Sequence, residues 1–371
     1  MPLSGKHSNW LEIDRGALEG NVRQCLERTG VQVLAVVKAN GYGHGIVPVA
    51  RAALRGGATW CGVARVEEAI ELRRAGIDSP LLVLGATAPG RLQEAIGERV
   101  SMAVWDAEQV EAVAAATNGT NERARLHLKV ETGMGRLGIE PDEALDLARR
   151  IAAMPGVVLE GVFTHFARAD EADPAPSEAQ ERPFGELLTA LQEAGVHPGL
   201  VHAANSAASL TRPGAHYNMV RVGIALYGLD PSPECPLPAG FRPALAWKAQ
   251  LTQVRLTPPG RGISYGHAYV TQGRERIGVA PVGYGDGYRR VPGNMALVRG
   301  RAVPVVGRVC MDQIMLQLDG APEAREGDEV VLLGEQGGAR ITADDLARRW
   351  GTFNYEVICG LSARIPRVYR G

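Results

Sequence analysis

Short apolar runs recur along the first two thirds of the chain, and each is followed by a segment rich in Ala, Leu, Glu and Arg with apolar residues at helical spacing. The runs are Gln32 to Val37, Trp60 to Ala64, Leu81 to Leu84, Ser101 to Val104, Leu126 to Val130, Val158 to Phe163, Leu200 to Ala203 and Val220 to Ile224. Eight strand-helix units in series predict an α/β fold, a (β/α)8 TIM-type barrel. Segments Val66 to Ala75, Ala107 to Ala116 and Asp142 to Met154 have the length of helical crossovers. Asp230 to Pro243 then holds five prolines and reads as a linker.

Beyond it the pattern changes. Ala244 to Leu256, Arg276 to Val282, Ala296 to Val306, Gln313 to Leu318 and Glu329 to Leu333 are β-prone and separated by Gly/Pro turns, so a mostly antiparallel β domain is expected. One helix, Ala343 to Trp350, opens on Thr342 and Asp345 spaced as a capping box. The expected division is a barrel over 1–236 and a β-rich C-terminal domain over 237–371, with the first few residues able to pair with the second domain.

Composition narrows the function more than the fold. At 371 residues, 45% hydrophobic and 22% charged, the chain can bury large cores and has no bias toward disorder. Forty basic and 41 acidic residues leave a net charge of -1, so no long-range field favours nucleic acid or an anionic membrane. Small-molecule chemistry is the class that remains. The five cysteines form no Cys-x-x-Cys pair, no apolar run approaches a membrane span and the start lacks a signal-like segment, so a reducing, cytoplasmic setting is expected, without a metal site.

A barrel concentrates chemistry at the C-terminal ends of its strands. Lys38, Lys129 with Arg136, His165, Asn205 with Ser206, and Arg221 all fall at or just beyond those ends. Lys38 shares the face of Leu34 and Val36 by period-2 counting, and three glycines follow within Gly41 to Gly45. A desolvated lysine has a lowered pKa and can form a Schiff base. The same segment is compatible with a strand-end lysine reaching to solvent, and its Gly-x-Gly-x-Gly spacing matches a dinucleotide loop only weakly. Lys129 shares a strand face with His127 and Arg125, a concentration of like charge for a barrel interior.

The lysine segment VVKANGYGHG, followed in order by KVETGMGRLG (Lys129 to Gly138), THF (Thr164 to Phe166), AANSA (Ala203 to Ala207), RVGIALYG (Arg221 to Gly228), SYG (Ser264 to Gly266), GYGDGY (Gly283 to Tyr288), CMDQ (Cys310 to Gln313) and NYEVICG (Asn354 to Gly360), resembles the barrel-type alanine racemase family. The resemblance covers nearly the whole chain and implies a barrel followed by a β domain. It implies pyridoxal 5'-phosphate held by Lys38, a homodimer with shared active sites, and interconversion of L- and D-alanine that supplies D-alanine for peptidoglycan.

Racemisation needs an electron sink and acid-base groups on opposite faces of the substrate. By resemblance, Lys38 serves the D side and Tyr265 the L side, with His165 beside the tyrosine to offset its high ordinary pKa. Arg221 is implied to face the pyridine nitrogen; a guanidinium donates and cannot accept, which keeps that nitrogen unprotonated and the sink weak. The family pattern has proline after this arginine, where this chain has Val222. Tyr42, Asn205, Ser206, Tyr355 and the backbone at Gly223 and Ile224 are implied cofactor ligands. Arg136 and the backbone near Met311 are implied to hold the substrate carboxylate. Tyr265, Tyr284, Met311 and Asp312 are implied to reach a partner's barrel. The lysine matching Lys129 can be N-carboxylated in this family. Taken singly, each has an ordinary alternative: Ser206 a helix cap, Tyr265 and Tyr284 turn aromatics, Arg136 a solvated loop residue, Arg221 a strand-end cation.

Rival functions are a racemase for other amino acids such as serine or lysine, a barrel-type amino-acid decarboxylase, and a non-catalytic pyridoxal phosphate-binding protein. A decarboxylase would favour a carboxylate where Arg221 stands, and the carrier proteins lack a β domain.

Overall fold

The computed structural model describes residues 7–119 and 122–371, which form two compact units: one within 16–41 and 46–243, the other within 7–15, 42–45 and 244–371. Strand β1 (Asn9–Asp14) belongs to the second unit. The first unit carries β2 (Gln32–Val36), β3 (Trp60–Val63), β4 (Leu81–Val83), β5 (Val100–Val104), β6 (Ala124–Lys129), β7 (Val157–Phe163), β8 (Leu200–His202) and β9 (Met219–Val222).

All eight are parallel and pair in the order β8-β7-β6-β5-β4-β3-β2-β9, a nearly closed barrel with its seam between β8 and β9. Helices cover one face of such a sheet and side chains fill the other, so continuous apolar runs are what these strands require. Residues of β3, β4, β5 and β9 are buried throughout. The interior is close-packed: a Cβ added at Gly161 would lie 2.5 Å from His127 Nδ1. In the β6-β7 pair, Leu126 faces Leu159 and His127 faces Gly161, so Glu160 is an extra, bulged residue of β7. The anticipated crossover helices form as Val66–Arg74, Ala107–Ala116 and Pro141–Ala153. Asp106 caps the second by accepting from the Gln109 amide at 2.8 Å.

The second unit is a mostly antiparallel β structure. Leu245–Gln250 pairs antiparallel with β1 and with Glu329–Gln336, while the C-terminal strand Arg367–Arg370 lies parallel to β1. The helix Ala343–Trp350 opens on the full capping box, with Asp345 N donating to Thr342 Oγ1 at 3.0 Å and Thr342 N to Asp345 Oδ2 at 2.9 Å.

The compact units divide after Pro243, with the proline-rich stretch packed on the barrel. Asn21 Nδ2 donates to the Leu226 and Arg242 carbonyls, and Ser232 Oγ to that of Asp170. Ala296 to Val306 is not one strand but a hairpin, Met295–Val298 and Arg301–Val306, because Arg299 and Gly300 both take positive φ, the torsions of a two-residue type I′ turn. Ala244 to Leu256 likewise breaks at Leu251 and Thr252, and Gln253–Thr257 pairs instead with Glu275–Ala280. Finally, Arg125 does not share the interior with His127 and Lys129; it is exposed and lies 3.9 Å from Glu160.

Candidate active site

Lys38 leaves β2 through an unusual turn. Ala39, Asn40, Gly41 and Tyr42 are all left-handed, with φ of 53°, 54°, 60° and 49°. Each non-glycine residue there costs about 1–2 kcal/mol, so other contacts must hold the turn. Two of them are side-chain oxygens: Glu68 Oε1 accepts from Ala39 N at 2.6 Å, and Asn40 Oδ1 from Ile46 N at 3.0 Å. The Gly41 amide donates to the Val37 carbonyl at 2.8 Å. The result is a half-buried lysine anchored at both ends of its turn.

Arg221, from β9, is 3% exposed. Nη1 donates to His202 Nδ1 at 3.0 Å and to the His202 carbonyl at 2.9 Å. Nη2 donates to His165 Nδ1 at 3.0 Å and to the carbonyls of Thr164 and Ala203 at 2.7 and 2.9 Å. Burial, then Arg136, pushes its pKa down to about 9, so it stays cationic at neutral pH. A guanidinium cannot accept, so His165 Nδ1 must be unprotonated and a neutral ring carries its proton on Nε2. Burial and the charges of Arg221, Lys129, Arg136 and Lys38 hold His165 well below its ordinary pKa, which keeps that ring neutral.

Lys129 ends β6 and is 4% exposed, with Nζ 4.9 Å from the centroid of the Phe163 ring. Burial, with Arg221, Arg136 and Lys38 around it, pushes its pKa down to about 7, against the opposing pull of Glu131. Arg136 stands exposed in a loop that Glu131 organises, its carboxylate accepting from the amides of Gly133, Met134 and Arg136. Four cations therefore converge on one rim.

Ser206 is not the cap of its helix. Asn205 is, accepting from Ala208 N at 3.0 Å, while Ser206 Oγ accepts from Gly223 N at 2.9 Å and Ala225 N at 3.3 Å and ties Ser206–Thr211 to the segment that holds Ile224.

In the second unit, Tyr265 is 67% exposed and Met311 53%. Ser264, just before the tyrosine, has φ 64° and donates through Oγ to the Arg308 carbonyl at 2.6 Å. Tyr284 N donates to the Cys310 carbonyl at 3.0 Å and Gly285 N to that of Met311 at 2.9 Å. Gly283 must be glycine, because a Cβ would meet the Met311 carbonyl at 2.1 Å. Arg364 joins both loops, 2.7 Å from Asp286 and 2.8 Å from Asp312. Tyr42 and Tyr355 form a tilted ring pair with centroids 6.3 Å apart.

The barrel thus gathers Lys38, Lys129, Arg136, His165, Asn205, Ser206, Arg221, Gly223 and Ile224, and the second unit carries Tyr42, Tyr265, Tyr284, Met311 and Tyr355. Sequence reading missed Glu68, Glu131, His202 and Gln180. Gln180 Nε2 donates to the His165 carbonyl and to Thr132 Oγ1, while its Oε1 accepts from Ala167 N. Only the strand-end position of His202, directly before the AANSA segment, offered a signal; the others are ordinary helix or loop polar residues.

Residues 13–231 match the model of the alanine racemase N-terminal domain, and residues 244–369 that of the alanine racemase C-terminal domain. Alanine racemases of Symbiobacterium thermophilum and Desulfovibrio desulfuricans are 47% and 44% identical, over 100% and 97% of this chain and 99% and 97% of theirs. The crystal structure of Bacillus anthracis alanine racemase with bound L-Ala-P superposes with a TM-score of 0.93 at 41% identity, covering 99% of this chain and 96% of that one. A histidine racemase from Leuconostoc mesenteroides matches at TM-score 0.91 and 28% identity, covering 99% of each chain.

Proposed function

This chain belongs to the alanine racemase family, and we propose that it interconverts L- and D-alanine with pyridoxal 5'-phosphate by a two-base mechanism, supplying D-alanine for peptidoglycan. The observation that carries this reading is the buried Arg221 guanidinium at the barrel rim, alongside Lys38 in its left-handed turn.

The donor set suits the cofactor. An amine, a fixed guanidinium edge, the Ser206 hydroxyl beside the amides of Gly223 and Ala225, and further cations at Lys129 and Arg136 match an aldehyde, a ring nitrogen and an anionic phosphate. Among the described residues, the five bonds of Arg221 use only Nη1 and Nη2, which leaves Nε–H as the donor toward a ring nitrogen. Tyr42, Asn205, Ile224 and Tyr355 complete the cofactor ligands. Pyridoxal phosphate, when bound, draws electron density from the substrate α-carbon so that its proton becomes removable.

Lys38 Nζ moves that proton on the D side. Tyr265 Oη moves it on the L side, and His165, whose Nδ1 is occupied by Arg221, has an Nε2–H to donate toward the phenolate. Arg136 and the backbone at Met311 hold the substrate carboxylate, with Tyr284 nearby. The exposed Tyr265, Tyr284 and Met311 are covered by a second copy in a homodimer with shared sites. Lys129, with its pKa near 7, holds much of its amine neutral at physiological pH and can add carbon dioxide, forming an N–C bond and releasing a proton; the resulting anion offsets Arg136. Five cysteines outside any disulfide suit a reducing cytoplasm.

The higher identity to alanine racemases than to the histidine racemase supports alanine as substrate. Deuterium exchange at the α-carbon across a panel of L- and D-amino acids tests the reading; an absence of exchange into alanine overturns it.

A further inference from the structure

The barrel core below Arg221 holds two histidines and a carboxylate that the reaction does not use. His202 Nε2 lies 2.9 Å from His127 Nδ1, and His127 Nε2 lies 3.2 Å from Glu160 Oε2. Both rings are fully buried. Ser101 Oγ donates to the same carboxylate oxygen at 2.5 Å. The chain therefore runs from Arg221 on β9, through His202 on β8 and His127 on β6, to the bulged residue of β7.

Its direction follows from donor inventory alone. Arg221 Nη1 can only donate, so His202 Nδ1 accepts and a neutral His202 carries its proton on Nε2. That proton is donated to His127 Nδ1, which places the proton of His127 on Nε2, facing Glu160. An ionised carboxylate can only accept, and it closes the chain. Every ring nitrogen is then satisfied, which is what a fully buried pair requires. Burial and the Arg221 charge hold His202 well below its ordinary pKa, and although burial raises that of Glu160, bonds from His127 and Ser101 bring it below the ordinary value. A neutral His202 and an ionised terminus agree with the geometry.

We propose that Glu160 is a positioning residue for Arg221: acting through His127 and His202, it anchors a one-way hydrogen-bond chain that fixes both rings in the Nε2–H form and keeps His202 Nδ1 as a standing acceptor for the guanidinium. Two features support it. The β-bulge is a device that re-aims a side chain, and here the bulged residue is the one that meets His127. The rings are also held sideways, Phe163 stacking on His202 with centroids 4.7 Å apart at 8° and Trp60 meeting His127 edge-on at 5.7 Å. Neither ring turns without disturbing its neighbour. The consequence for catalysis rests on the proposed placement of Arg221 against the cofactor ring; the order of the chain does not.

The test uses the full chain with pyridoxal phosphate bound and 15N-labelled histidine, comparing wild type with Glu160→Gln and Glu160→Leu. Wild type is expected to show both His127 and His202 with the ring proton on Nε2, and both ring protons exchanging slowly. Glu160→Gln, whose carbonyl still accepts, keeps both signals. In Glu160→Leu the His127 proton loses its acceptor, and exchange at His202, two rings from the mutation, accelerates at least tenfold. That variant also loses kcat by roughly tenfold, the scale for groups that orient an acting residue, with KM little changed, and Glu160→Gln recovers most of it. An Nδ1–H or doubly protonated ring in wild type overturns the proposal, as does a Leu variant whose His202 exchange is unchanged. Should Glu160→Leu not fold, Glu160→Met removes the same acceptor with a side chain of similar length, and an unaltered His202 exchange rate there overturns the proposal equally. Failure of the racemase reading registers separately, as absent deuterium exchange in wild type with the histidine spectrum intact.

Discussion

Arg221 is 3% exposed and donates five hydrogen bonds, whereas Tyr265 is 67% exposed on a turn where Ser264 takes a φ of 64°. The same contrast separates the remaining groups. On the barrel, His165, Lys129 and Ser206 are engaged or enclosed, and burial with neighbouring charge sets the protonation of His165 and Lys129. On the C-terminal unit, Tyr284 and Met311 stand open on loops tied to each other by backbone bonds and by Arg364. The barrel groups are preorganised by their own core. The C-terminal unit presents aromatic and apolar groups on its exposed surface.

This contrast can be broken experimentally. The largest effect is expected from Lys38→Ala, which should remove α-deuterium exchange into both enantiomers by roughly 10⁴-fold or more, measured by mass spectrometry, as for loss of a covalent catalyst. Residual exchange near the wild-type rate would move the chemistry off the barrel. Tyr265→Phe should lower net racemisation equally in both directions, by roughly 10³-fold, because the equilibrium constant between enantiomers is one; exchange into D-alanine through Lys38 should survive while exchange into L-alanine is lost. Symmetric loss of exchange would deny the tyrosine a separate face.

A smaller effect, roughly tenfold in KM for alanine with kcat less affected, is expected of Glu131→Ala in steady-state kinetics, because three loop amides lose their acceptor and Arg136 its fixed position. Lys129→Met reads the barrel's electrostatics directly. The folded pKa is near 7 and the unfolded value near 10.5, so between those limits the unfolded chain binds more protons and stability rises with pH. In carbonate-free urea titrations this group contributes about 1.4 kcal/mol per pH unit across that window, and the substitution should flatten that rise. An unchanged pH slope would mean that the lysine is not held in a hostile cationic setting.

The eight barrel strands were legible because parallel strands buried on both faces must be continuously apolar, a property of the chain itself. Boundaries were less so. Arg299–Gly300 carries no proline or Asn-Gly signal, so a hairpin read as one long strand. In the site, Lys38, Arg221 and Ser206 stood out by position and by resemblance, but their partners did not. Glu68, Glu131 and Gln180 come from segments whose sequence shows only common helix and loop polar residues; Glu68 and Gln180 matter because the fold brings them to backbone groups elsewhere, and Glu131 because it gathers the amides of its own loop.

What the sequence determined by itself is the alternation that makes the barrel, the change to a β-rich C-terminal unit, and the ordered motifs that carry the family. Tertiary structure alone decided the protonation and direction of the groups. Whether Lys129 is cationic, which nitrogen of His165 bears its proton, and which end of the His202–His127 chain donates all depend on distance and desolvation, and those exist only once β6, β7, β8 and β9 lie side by side.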